Sequence, residues 1–100
     1  MEKKNLALVT EITNNNADSL IGICEKAKVY TLTFNLEGVC TLDIQVLDDD
    51  TSKLLQKVNP HSGFITGSYA YRFFCPHAGN LKFDIKGTFG KIDNIVLVEG

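Results

Sequence analysis

Apolar and polar residues alternate most regularly between positions 28 and 46. Tyr30, Leu32, Phe34 and Leu36 are separated by Thr31, Thr33 and Asn35. After Glu37 and Gly38, the residues Cys40, Leu42, Ile44 and Val46 alternate with Thr41, Asp43 and Gln45. A repeat of two belongs to a strand with one buried and one wet face. The two runs, joined by a Glu-Gly turn, are predicted to form a β-hairpin.

The same repeat returns in the last third of the chain. Tyr69, Tyr71, Phe73 and Cys75 share one face, opposite Ala70, Arg72 and Phe74. The stretch from Pro76 to Asn80 turns the chain. Leu81, Phe83 and Ile85 then alternate with Lys82, Asp84 and Lys86. A break at 87–90 precedes a closing strand over 92–98. In that strand Val96 and Val98 oppose Ile95 and Leu97, so both faces are apolar. Residues 6–12 or another subunit are expected to cover the second face. Phe74, opposite the tyrosine stripe, is expected to be exposed.

Other segments carry weaker patterns. Residues 6–12 read as a first strand and 14–18 as a loop rich in Asn and Asp. Residues 19–24 fit either a short helix capped by Asp18 or Ser19, or a strand; Gly22 disfavours the helix. Residues 48–52 form an acidic loop. Residues 53–59, polar and followed by Pro60, read as an edge strand, and 64–66 as a short one. Strands this closely spaced leave little room for crossover helices, so their sheets must be mostly antiparallel. The predicted fold class is all-β: a single antiparallel β-sandwich of about eight strands, jelly-roll-like, forming one domain over 1–100.

Composition narrows the function classes. With 100 residues, 44% hydrophobic and 22% charged, the chain can fill one core. Its net charge of −2 gives no basic surface for phosphates, so no nucleic-acid partner is expected. The N-terminal apolar run is too short for a secretory signal, and no segment reaches membrane-span length. The protein is expected to remain where it is made, or to leave by lysis or within a particle. Three cysteines, Cys24, Cys40 and Cys75, do not pair off into a disulfide framework and read as buried thiols in a reducing compartment.

The segment from Gly79 to Gly87 reads G-x-L-x-F-x-I-x-G, and Ile92 to Leu97 reads I-D-N-I-V-L. With the preceding strands, this order resembles the carbohydrate-binding, galactose-binding-like β-sandwich modules, over roughly residues 28–98. The resemblance implies a jelly roll that binds sugars through exposed aromatic residues, and an acidic residue near the last strand, here Asp93, that helps hold a structural ion. The chain departs from that pattern in having no Trp, and no secretory leader is expected from its N-terminal residues. Small leaderless sandwiches look more like structural proteins of tailed bacteriophages, such as capsid decoration or head-fibre-associated proteins.

Candidate chemistry is sparse. Asp48, Asp50 and, more distantly, Asp93 are the candidate calcium ligands, without the spacing or glycine of an EF-hand loop. Cys75, His77 and the remote His61 are too few for structural zinc. The stretch from Gly87 to Lys91 lacks the spacing of a phosphate loop. Tyr69, Tyr71 and Phe74, with the loop residues His61, His77 and Asn80, are the candidate ligand or interface residues, while the stripe of Tyr69, Tyr71 and Phe73 on one face reads first as sandwich core. No enzyme and no obligatory cofactor are expected. The expected function is a virion structural protein docking on other virion proteins such as a major capsid protein, with homo-oligomers as a further partner. A glycan-binding module is the alternative.

Overall fold

The computed structural model describes residues 3–100. It has eight strands: β1 (Leu20–Cys24), β2 (Lys28–Gly38), β3 (Cys40–Leu47), β4 (Leu54–Lys57), β5 (Gly63–Phe64), β6 (Gly67–Cys75), β7 (Gly79–Lys86) and β8 (Phe89–Glu99). All strand pairs are antiparallel. A five-stranded sheet runs β1-β7-β3-β4, with β5 following β4 along the same side of β3. A three-stranded sheet runs β6-β2-β8. The two pack face to face as the predicted all-β sandwich. Among the described residues there is no helix, and none long and apolar enough to cross a membrane.

The alternating residues build the core between the sheets. Tyr30, Leu32, Phe34 and Leu36 of β2 face Leu42, Ile44 and Val46 of β3 and Leu81 and Phe83 of β7, all buried. Phe34 and Phe83 approach across the sheets with ring centroids 5.3 Å apart. Burying an aromatic or aliphatic side chain of this size is worth about 1.5–3 kcal/mol, so these rows dominate the stability.

The expected hairpin of β2 and β3 does not form. β2 pairs with β6 and β8, and β3 pairs with β7, β4 and β5. The chain crosses from one sheet to the other at Gly38 and Val39. Period-two alternation is the same for two strands side by side and for two strands facing each other across a core, so the pattern could not choose. The crossing uses backbone geometry open to glycine: Gly38 has φ 121°, and a Cβ there would lie 3.0 Å from the Gly90 nitrogen. The Thr66 hydroxyl accepts the Gly38 N–H at 2.9 Å. The ambiguous stretch 19–24 is the strand β1, and 53–59 holds the expected edge strand β4.

Residues 6–12 are not a strand. They form an extended strap touching both sheets. The Leu6 and Ile12 N–H groups donate to Leu97 and Ile92 of β8, the Ile95 N–H of β8 donates to Thr10, and the Leu8 N–H donates to Ile21 of β1. The strap therefore covers the edges of β8 and β1, not the outer face carrying Val96 and Val98, which stay partly open. Its residue types are those of a strand, yet it divides its hydrogen bonds between two sheets and completes no ladder. In β8 a bulge opposite Phe34 places Asn94 at φ 49°. The extra residue lets Ile92 and Ile95, three apart, both point inward.

Two asparagines finish exposed edges with their side-chain amides. Between β4 and β5 the edge of β3 has no strand beside it. There the Ile44 N–H donates to Asn59 Oδ1 at 2.8 Å, and Asn59 Nδ2 donates to the Leu42 carbonyl at 2.9 Å. The Leu42 N–H and Ile44 carbonyl are met by the backbone of Ser62 and Val58. Asn59, 2% exposed, thus replaces a missing length of strand. Asn5 does the same for β8: its Oδ1 accepts the Leu97 N–H and its Nδ2 donates to the Ile95 carbonyl.

Candidate functional site

The candidate residues are scattered over the fold rather than gathered. Tyr69 and Tyr71 lie on the inner face of β6, half-buried at the margin of the core. Tyr69 stacks on Phe34 at 5.7 Å and meets Phe64 edge-on at 4.8 Å. Its hydroxyl donates to the Ile65 carbonyl. Burial raises the Tyr71 pKa above its ordinary value. These rings pack inward and do not form a platform. Phe74 is 52% exposed on the outer face of β6, as expected.

The histidines are not brought together. His61 sits in the β4–β5 loop, where its carbonyl accepts from Asn59, and His77 sits in the β6–β7 turn. Asn80 lies in β7 and donates to Asp49 Oδ1 at 3.4 Å. Asp49 and Asn80 line a small hollow with Ile23, Ala78 and Gly79.

The calcium candidates separate as well. Asp48 Oδ1 accepts the N–H groups of Asp50 and Thr51, forming the turn between β3 and β4. Those bonds, Thr51 first, hold its carboxyl below the usual range. The Asp50 side chain is exposed in the same loop. Asp93 belongs to the other sheet, pairs with Asn35 and meets Lys91 at 3.4 Å. Among the described residues no cluster of three or more His, Cys, Asp or Glu could hold a metal ion. The aspartates that looked like ligands bond local backbone and a neighbouring lysine.

The three thiols are buried. Burial, with Cys75 adjacent, pushes the Cys24 thiol up to about 12, and burial raises Cys40 and Cys75. A protonated, enclosed thiol is a poor nucleophile.

Two surface features stand out instead. On the outer face of the five-stranded sheet the register aligns Ile23, Asn80, Leu47 and Leu54 in one row across β1, β7, β3 and β4. Side chains so paired lie side by side on one face. Ile23 is 61% and Leu54 51% exposed. Further along the same face come Lys82, Gln45 and Lys57, then Asp84 beside Asp43. Asp43 accepts from Ser62 Oγ at 2.5 Å and meets Lys57 at 3.2 Å, and these partners, Ser62 first, hold its carboxyl below the usual range.

The outer face of the three-stranded sheet carries Arg72 on β6, Glu37 on β2 and the Lys91–Asp93 pair on β8. Beside the β8 bulge it holds a depression of about 470 Å³, lined by Thr33, Asn35, Ser68, Ala70, Asn94 and Val96. Ser68 Oγ donates to Asn35 Oδ1 at 2.7 Å.

No known family, curated protein or solved structure matches the chain.

Sequence reasoning named Asn80 in the apolar row but missed Ile23, Leu47 and Leu54. A leucine pair inside an otherwise polar edge strand was the available signal. It also missed Asn35, Ser68 and Asn94, which meet only through strand register and a bulge.

Proposed function

We propose that the chain is a non-enzymatic structural module that docks on a repetitive particle, a phage virion being the setting and its major capsid protein the partner. The observation that carries this reading is the row Ile23, Asn80, Leu47 and Leu54. It spans the five-stranded sheet from β1 to β4 with exposed aliphatic side chains at both ends. A flat row of this kind suits a broad partner surface better than a small ligand. The low net charge of −2 opposes such contact little. On a symmetric lattice, contacts that are weak singly gain strength by repetition.

The test is a density gradient of native lysate, with the protein located by mass spectrometry. Sedimentation with large particles at fixed stoichiometry is the expected result, and a small species at the top of the gradient would refute the reading. Replacing Ile23 and Leu54 together by Asp should release the protein from the particle while leaving its melting temperature within a few degrees.

A second reading, glycan binding, draws on the depression beside the bulge. Its hydroxyl and amide groups over an Ala70–Val96 floor are neutral and fit a polyol. Titration with a glycan set, followed by amide chemical shifts, should then move Asn35, Ser68 and Asn94. Silence at those residues would remove this reading without touching the first.

A further inference from the structure

The sheet margins are closed in different ways, and one is left open. The outer edge of β8 takes the strap and Asn5, and β1 takes the Leu8 N–H at Ile21. The bare length of β3 is met by Asn59. β4 is only four residues long and ends in Lys57. β6 has nine residues and pairs only with β2. It contains no Pro, Lys or acidic residue, the usual guards of an exposed edge.

The pairing fixes which backbone groups face that edge. The Val29 carbonyl accepts from Gly100, the residue after β8, so Tyr30, Leu32 and Phe34 aim their N–H and C=O groups at β6. They stand opposite Phe73, Tyr71 and Tyr69, whose groups therefore turn toward β2. Ser68, Ala70, Arg72 and Phe74 turn theirs outward, and all four residues are exposed. The Phe74 carbonyl is taken by Gln56 Nε2 at 2.9 Å. Among the described residues, nothing bonds to the outward backbone groups of Ser68, Ala70 and Arg72.

We propose that this edge pairs with the same edge of a second copy of the chain. The two β6 strands run antiparallel about a two-fold axis at Ala70, and the two three-stranded sheets become one continuous sheet. An antiparallel edge is its own complement, which favours a second copy over a different strand. Centred on Ala70, that residue exchanges both hydrogen bonds with the partner's Ala70, and Ser68 does so with the partner's Arg72. Every free group on the edge is then used, and the occupied Phe74 carbonyl is not needed. A centre on Tyr71 would set Phe74 against the partner's Ser68, in competition with Gln56. A centre on Arg72 would oppose two like charges. On the inner face, Tyr69 falls beside the partner's Tyr71, so the half-buried rings of the open margin cover each other. The net charge of −2 opposes the contact little. The pairing uses the other sheet from the Ile23–Leu54 row and stands independently of particle docking.

The experiment is sedimentation equilibrium of the full chain from about 5 µM to about 1 mM, a range suited to a small interface. The mass should rise from 11.0 kDa toward twice that value and stop there. Amide exchange at Ser68, Ala70 and Arg72 should slow as concentration rises. Ala70→Pro removes an outward N–H without touching the β2 ladder, and Ala70→Lys sets like charges together on the axis. Each should weaken the dimer by about ten-fold or more. If the proline disturbs folding, the lysine, at an exposed position, carries the test. Ser68→Glu, beside the partner's Arg72, should tighten the dimer by about five-fold at low salt; a weaker dimer would overturn the register. The Ile23→Asp, Leu54→Asp double variant should dimerise as the parent does. A mass of 11.0 kDa at every concentration would overturn the proposal and leave the edge to a strand of another protein. Growth beyond the dimer, a dimer untouched by both Ala70 variants, or one abolished by the Ile23 and Leu54 changes would overturn it as well.

Discussion

Replacing Asn59 by Ala removes the side chain standing in for a strand. Two backbone groups of β3 lose their partners, the Ile44 N–H and the Leu42 carbonyl, in a place where Asn59 itself is 2% exposed. The third bond, to the His61 carbonyl, is only partly buried, and water can replace it. Each buried backbone group left unpaired costs about 1–3 kcal/mol. Two such groups give a loss of about 3 kcal/mol, a large share of the roughly 5–15 kcal/mol a small domain has. For a chain of this size that corresponds to about 15 °C in melting temperature. Thermal and urea unfolding followed by circular dichroism measure both quantities. Asn59→Asp sharpens the test. The carboxylate keeps an acceptor for Ile44 but turns an oxygen toward the Leu42 carbonyl. It should be at least as damaging at neutral pH and partly recover in mild acid, where the protonated group can donate. An Asn59→Ala protein melting within about 3 °C of the parent would show that water serves this edge equally well, and the accounting would fail.

Three further outcomes follow from the geometry. Asp43 is held charged by Ser62 and Lys57, so its contribution is present above the ordinary carboxylate range and lost as pH falls through its lowered value. Urea midpoints should hold between about pH 7 and 5 and fall below about 4, with Asp43→Asn removing part of that fall. Gly79→Ala would place a Cβ 2.6 Å from the Leu47 carbonyl oxygen and 2.8 Å from Val46 Cγ1. The β7–β3 pairing must shift to admit it, lowering stability by about 2 kcal/mol in urea unfolding; an unchanged midpoint would refute the clash. Phe34→Ala empties the centre of the aromatic group formed with Phe64, Tyr69, Tyr71 and Phe83. A loss of about 3–5 kcal/mol is expected, read by calorimetry, and a loss under about 1 kcal/mol would mean that the neighbours close the cavity.

What alternation encodes was legible before the structure, and what depends on pairing was not. The inward rows of β2, β3, β6 and β7 are the predicted apolar faces, since burial follows side-chain period whichever strand lies alongside. The partner of β2 was invisible because Glu37 and Gly38 serve a hairpin turn and a crossing between sheets equally well. Residues 6–12 have the residue types of a strand but share hydrogen bonds with both β8 and β1, a division no local pattern records. Tyr69 and Tyr71 were candidates as exposed rings and as core; their half-burial at an open margin belongs to the edge position of β6. The acidic loop was visible as a loop. That Asp48 spends its carboxylate on the Asp50 and Thr51 amides is a matter of turn geometry. Ile23, Leu47 and Leu54 lie far apart in sequence and form a row only through the register of four strands.

The amide at Asn59 also has a chemical lifetime. Side-chain amides of asparagine are lost with age when the peptide nitrogen of the next residue attacks them, and that nitrogen must shed a hydrogen. After Asn59 the nitrogen belongs to Pro60 and carries none. The amide on which the β3 edge relies is therefore closed to this route of decay. Asn14 and Asn15, exposed in the loop before β1 and followed by ordinary peptide nitrogens, are open to it. As a preparation ages, its net charge should drift more negative through that loop while the edge of the five-stranded sheet stays intact.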